Sequence, residues 1–130
     1  MLCYIRIFLF LKIHKIRRKE DLLKVPMIHS TVNRVQWADW FEAQGSDERP
    51  SRFELSFDRA MMSLDAAAQG IGVALESHLL AEPYLKKKML VPVLSPQCAV
   101  SIQAHFAVYP LRNAARPEVL HFLKWLHQAR

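Results

Sequence analysis

The chain has 130 residues, 52% hydrophobic and 23% charged, with a formal net charge of +6; this suits one globular domain with its own core. The charge is lopsided: residues 1–24 hold seven Lys/Arg against two Asp/Glu, a balance of +5, and residues 25–130 hold eleven against ten, a balance of +1. A nearly neutral body argues against a nucleic-acid-binding domain, which carries its charge on a structured face.

Residues 1–16 are the oddest segment. The apolar run Ile7 to Leu11 is too short to span a bilayer, and it lacks the cleavage site of a signal peptide. Residues 4–13 are β-prone. The plain reading is the altered or mis-started end of a truncated gene; the other is a membrane-surface anchor whose basic run Lys15 to Lys19 touches anionic lipid. The plain reading is preferred, and no membrane partner is expected. Residues 20–24 predict a helical turn and residues 27–30 a strand. Residues 35–44 predict a helix with Trp37, Trp40 and Phe41 at i, i+3 and i+4, a spacing that packs against a sheet, and Gly45 stops it. Residues 45–51 are a polar loop.

Residues 52–57 alternate, with Phe53, Leu55 and Phe57 on one side, which is the pattern of a half-buried strand. Asp58 is placed to cap the helix that follows. That helix, residues 59–69, carries Met61, Leu64 and Ala68 on one face and stops at Gly70. Met61 and Met62 read as core, with a cleft wall as the alternative. Residues 71–75 form a short, continuously apolar strand, as in a sheet covered on both faces. Ser77 is placed to cap a helix over 79–87, and residues 90–93 give the next strand. Strand, helix, strand, helix, strand at this spacing predicts a parallel α/β sheet with right-handed crossovers. Beyond a connection over 94–103, residues 104–109 predict a strand closed by Pro110. Pro117 opens a last helix with Val119, Phe122, Leu123 and Leu126 in one apolar stripe.

No catalytic machinery is legible. There is no nucleophile elbow, phosphate loop or zinc-protease motif. Cys3 and Cys98 give neither a disulfide framework nor a metal spacing, and they suit a reducing cytoplasm. The six histidines, among them His14, His78, His105, His121 and His127, are scattered. No enzyme, cofactor or metal is expected.

A binding reading rests on the strand ends. Parallel sheets take ligands beyond the carboxyl ends of their strands. Three such ends are His29, Ser30 and Thr31; Phe57 and Asp58; and Glu76 and Ser77. Backbone amides at helix starts there favour a carboxylate or other anion. Asp58 could oppose an anion or bind an amine, and both Asp58 and Ser77 have plain capping as the alternative. Lys86, Lys87 and Lys88 close a helix and need no further role.

The strand ending at Phe57, the helix from Met61 to Gln69, the phrase Gly70-Ile71-Gly72-Val73-Ala74-Leu75 and the strand from Leu90 to Val93 together resemble the effector-binding domain of LysR-type transcriptional regulators. Upstream, Glu20-Asp21-Leu22-Leu23-Lys24, Pro26-Met27-Ile28-His29-Ser30 and Trp37-Ala38-Asp39-Trp40-Phe41 are similar to the subgroup containing the glycine-cleavage regulators. Downstream, Phe106-Ala107-Val108-Tyr109-Pro110, Arg116-Pro117-Glu118-Val119 and Phe122-Leu123-Lys124-Trp125-Leu126 are similar to that subgroup's end. The resemblance covers about residues 17–130. It implies an α/β fold with a parallel or mixed sheet flanked by helices, a type-2 periplasmic-binding-protein-like lobe, and an incomplete second lobe. Residues 1–19 are then an atypical basic and apolar N-terminal segment. Residues 20–104 form the lobe, and 105–130 give the returning strand and closing helix of the other lobe. The strand-end rim would face the cleft between lobes where a small-molecule effector binds, and its closure would act on a homo-oligomer. DNA would be engaged only by the family's winged helix-turn-helix, which is not found in this sequence, so the chain reads as a truncated cytoplasmic regulator. The alternative is a free-standing small α/β solute-binding or protein-interaction domain.

Overall fold

The computed structural model describes residues 2–9 and 16–129, with side chains from residue 16 onward. One mixed sheet runs through it. Its strands are β1 (Leu2–Leu9), β2 (Met27–Ser30), β3 (Leu55–Phe57), β4 (Val73–Ser77), β5 (Val91–Val93) and β6 (Val100–Gln103). The helices are α1 (Trp37–Ala43), α2 (Ala60–Ala68), α3 (His78–Lys86) and α4 (Pro117–Gln128). Sheet order is β3-β2-β4-β1-β5, with β6 also on β1.

β2 lies between β3 and β4 and is parallel to both, so β3 and β4 run the same way. β1 is antiparallel to β4 on one side. On its other side it pairs antiparallel with β5, over residues 7–9, and with β6, over residues 2–5. β5 therefore keeps the direction of β4 without touching it, and the sheet is mixed. Residues 4–9 of the β-prone stretch lie in β1; residues 10–13 and the start of the basic run at Lys15 lie outside the described residues.

The sheet is covered on both faces. On one, Trp37, Trp40 and Phe41 of α1 pack on Val73, Leu75 and Val93 with Leu22 and Val35. The indole of Trp37 donates to Ile28 O at 2.9 Å and that of Trp40 to Cys98 O at 2.9 Å, so both rings bury their bulk and satisfy their N–H. On the other face, Leu64, Ala66 and Ala67 of α2 and Ala81 and Tyr84 of α3 pack on Ile28 and Ala74. The alanines let helix and sheet approach closely. Gly70 takes φ +79° and closes α2, with its own N–H donating to Ala67 O and that of Ile71 to Ala66 O.

Three expectations change. α2 is rotated from the face read off the sequence: Met61 and Met62 are about half exposed, and Ser63, Leu64, Ala66 and Ala67 point inward. β4 is Val73–Ser77, because residues 70–72 are used in turning from α2, and the first ladder bond is Val73 N to Pro26 O at 2.9 Å. The strand near the C-terminal end is Val100–Gln103, and residues 104–109 carry no regular element. The described pairing with β1 ends at Leu2–Gln103. Beyond it, α4 buries no residue; Leu120, Phe122 and Trp125 are each more than half exposed.

Candidate functional site: the rim where three parallel strands end

β2, β3 and β4 end side by side. Ser30, the last residue of β2, pairs with Phe57, the last of β3. The β2–β4 register, Ile28 with Ala74, carried two residues further sets Ser30 beside Glu76. Thr31 ties the β2 and β3 ends together: its N–H and its hydroxyl both donate to Phe57 O, at 2.9 and 3.2 Å.

Side chains alternate across this rim. His29 lies on the α1 side. It stacks on Phe53 at 4.8 Å between ring centroids. Its Nε2 donates to Gln36 Oε1 at 2.9 Å, and its Nδ1 is hydrogen-bonded to Ser56 Oγ at 3.0 Å. The Gln36 amide donates onward to Ser30 O and Asn33 O. Asn33 donates to Leu75 O at 2.6 Å. This relay braces residues 30–36 against β3, β2 and β4, so His29 positions the loop and does not present a free ring nitrogen.

On the α2 side, Ser30 and Glu76 meet Ser63 of α2, all three at least 95% buried. Burial pushes the Glu76 carboxyl up to about 7. The Ser30 and Ser63 hydroxyls and the Ser77 N–H temper the rise. The hydroxyls stand beside the carboxyl without well-formed bonds: Ser30 Oγ, Ser63 Oγ and Glu76 Oε1 each lack a hydrogen-bond partner among the described residues.

The rim thus gathers Ser30, Thr31, Phe57 and Glu76, with His29 as a brace. Asp58 behaves differently from its expected capping role. Its side chain is 71% exposed and pairs with Arg59 at 3.2 Å, and Arg59 occupies the N-cap position. Ser77 does hold the N-cap position of α3, but its hydroxyl makes no cap bond. Glu76 and Ser77 also lie inside β4, not after it, which is why both are buried. Ser63, Asn33 and Gln36 were not singled out from sequence. The only signal for Ser63 is a lone hydroxyl within the apolar run of α2.

Little free space opens at the rim itself. A void beside Ile28, Ser30, Asn33 and Trp37 has no room for a ligand. A larger cavity, about 250 Å³, lies between α2 and α3 and is lined by Met61, Asp65, Pro83, Tyr84, Lys87 and Met89. There the Tyr84 hydroxyl donates to Asp65, and burial followed by that carboxylate pushes Tyr84 up to about 12. Among the described residues, no three of His, Cys, Asp and Glu cluster as a metal site, and no helix is long and apolar enough to cross a membrane.

Known proteins resemble this chain. The family model for the LysR substrate binding domain matches residues 11–130. The HTH-type transcriptional regulator y4mQ of Sinorhizobium fredii is 39% identical over 114 residues, 87% of this chain and 38% of that protein. The HTH-type regulator PerR of Escherichia coli is 33% identical over 113 residues, again 38% of its length. The chain thus spans under two fifths of these relatives, and the matches do not single out the glycine-cleavage subgroup. Among solved structures, the regulatory domain of CrgA from Neisseria meningitidis superposes with a TM-score of 0.72 at 17% identity, covering 99% of this chain and 65% of that one. The effector domain of AmpR from Pseudomonas aeruginosa gives 0.70 at 21%, covering 98% and 61%. At such identities these two speak for the fold, the type-2 periplasmic-binding-protein-like architecture of LysR regulatory domains. Taken with the family match over residues 11–130, they make this chain a member of the LysR substrate-binding domain family.

Proposed function

We propose that the chain is the effector-sensing part of a LysR-type transcriptional regulator and acts by binding, not by catalysis. The observation that carries this reading is the alignment of three parallel strand ends, with Ser30 level with Phe57 and beside Glu76. The candidate effector contacts are His29, Ser30, Thr31, Phe57, Asp58, Glu76 and Ser77, with His29 acting through the loop it braces. Residues 20–104 serve as one lobe and 105–130 belong to the other. The effector is a small molecule, and an anion suits the rim because neither N-cap residue, Arg59 or Ser77, caps the first turn of α2 or α3 with its own side chain. The working form is a homo-oligomer in the cytoplasm, and DNA is engaged through the helix-turn-helix part of a full-length regulator.

The test is a thermal-shift screen of the 130-residue chain against amino acids, dicarboxylates and aromatic carboxylates. Hits are then mapped by amide chemical shifts. A stabilising compound should move residues 29–31, 57–59 and 76–78. If every stabilising compound moves only the Tyr84–Met89 cavity, the rim assignment fails. A gel shift with sequence-specific binding by this chain alone would remove the division of labour. A second reading, a free-standing interaction domain, is favoured by the bare apolar stripe of α4. It predicts a concentration-dependent dimer that Phe122→Ser with Trp125→Ser abolishes.

A further inference from the structure

The Ser30, Ser63 and Glu76 cluster is out of character with its surroundings. The same core contains Ile28, Leu64, Ala67, Ala74 and Ala81, all under 5% exposed. Into it β2, α2 and β4 each send one polar side chain, and each brings an oxygen without a hydrogen-bond partner among the described residues. A carboxylate buried from water, with hydroxyls beside it but one oxygen lacking a well-formed bond among the described residues, is costly to keep charged. A carboxyl that holds a proton gains a donor. Its O–H can then reach one serine oxygen, and a serine hydroxyl can donate to the other carboxyl oxygen, so that donors and acceptors match.

The charged and titratable groups on the neighbouring elements are few. Arg6 occupies the register position opposite Glu76 on β1. Asp65 of α2 accepts from Tyr84 of α3. His78 is the first residue of α3, and His29 of β2 lies on the other face of the sheet. Asp58 and Arg59, ahead of α2, pair with each other in solvent.

We propose that Ser30, Ser63 and Glu76 form a proton-binding site that clamps α2 and the end of β2 onto β4, tight when Glu76 takes a proton from solvent and loose when it is ionised. The upward displacement of the Glu76 carboxyl by burial agrees with this. Two of the clamp's three residues, Ser30 and Glu76, belong to the rim itself, so pH would set how firmly the rim is held, with or without an effector.

Two measurements on the whole chain test it. The first is a ¹³C titration of the glutamate carboxyls. One should titrate near pH 7, well apart from the others, and vanish in Glu76→Gln; titration of all of them in the ordinary acid range overturns the proposal. The second is amide exchange in residues 28–31 and 60–68. Relative to Glu76→Gln, the wild type should exchange up to about tenfold faster at pH 8 than at pH 6, following the ionised fraction. An unchanged ratio overturns the clamp. If Glu76→Gln does not fold, Ser63→Ala replaces it. Loss of that hydroxyl should move the late titration upward, and a titration that stays put removes Ser63 from the site.

Discussion

Gly72→Ala is the sharpest test of how β2 and β4 are held in register. Gly72 needs no unusual backbone angle; it is excluded from change by space. A Cβ there would stand 2.6 Å from Pro26 O, 3.2 Å from Pro26 C and 3.3 Å from Ile28 Cγ1. Two of these atoms are backbone of Pro26, the residue just ahead of β2, and cannot swing aside. Ordinary contact begins at 3.4 Å, so the strands must part by about 0.8 Å at this point. The bond from Val73 N to Pro26 O, 2.9 Å at present, then stretches out of range. Overpacking of this kind costs about 1–3 kcal/mol and the lost bond about 1 kcal/mol, giving roughly 2–4 kcal/mol in all. For a chain of this size that corresponds to a fall in melting temperature of about 8–16 °C. Gly45→Ala is the control: its Cβ meets nothing within 4 Å, and only the left-handed backbone, φ +69°, opposes it. That costs about 1 kcal/mol. Calorimetry of both variants decides the matter; if Gly72→Ala melts within 2 °C, roughly, of Gly45→Ala, the steric reasoning is wrong.

Other consequences follow from the same contacts. Leu64→Ala, at a fully buried position of α2, should lose about 3–4 kcal/mol in urea unfolding, and a loss under about 1 kcal/mol would mean α2 is not seated as described. His29→Phe keeps a ring on Phe53 but takes the donor from part-buried Gln36 Oε1, while the exposed Ser56 hydroxyl turns to water, so the urea midpoint should fall by an amount equivalent to about 1 kcal/mol; no change would show the relay to be idle. Asp58→Ala should alter stability by less than about 0.5 kcal/mol, since its ion pair is exposed, whereas a true cap would cost about 1 kcal/mol. Absorbance titration of the three tyrosines should show one component near pH 12, and Tyr84→Phe should remove it; three coincident titrations would contradict the buried Tyr84–Asp65 pair. For Glu76 the sign is fixed by the direction of its shift. A carboxyl raised from 4.5 to about 7 stabilises the fold fully below pH 4.5 and loses that contribution as pH climbs through 7. The span is about 3 kcal/mol, and it should flatten in Glu76→Gln.

The sequence by itself determined the order and kind of most elements. Period-two and period-3.6 patterns are local, and so are the punctuating Gly45, Gly70 and Pro117; these placed β2 at its observed residues and β3, α2, β4 and α3 in succession. The parallel β3 and β4, and hence the shared rim, followed from that order. Tertiary structure alone decided three matters. It decided which strand lies between β4 and β5: β1, whose pairing partners are dozens of residues away and leave no local mark. It decided the phase of α2, because the inward position goes to the residue that fits against β4, and a small Ser63 fits where Met61 would not. And it decided that Glu76 is buried: a carboxylate reads as surface in any hydropathy pattern, and only the meeting of β2, α2 and β4 around it gives a reason for its place inside.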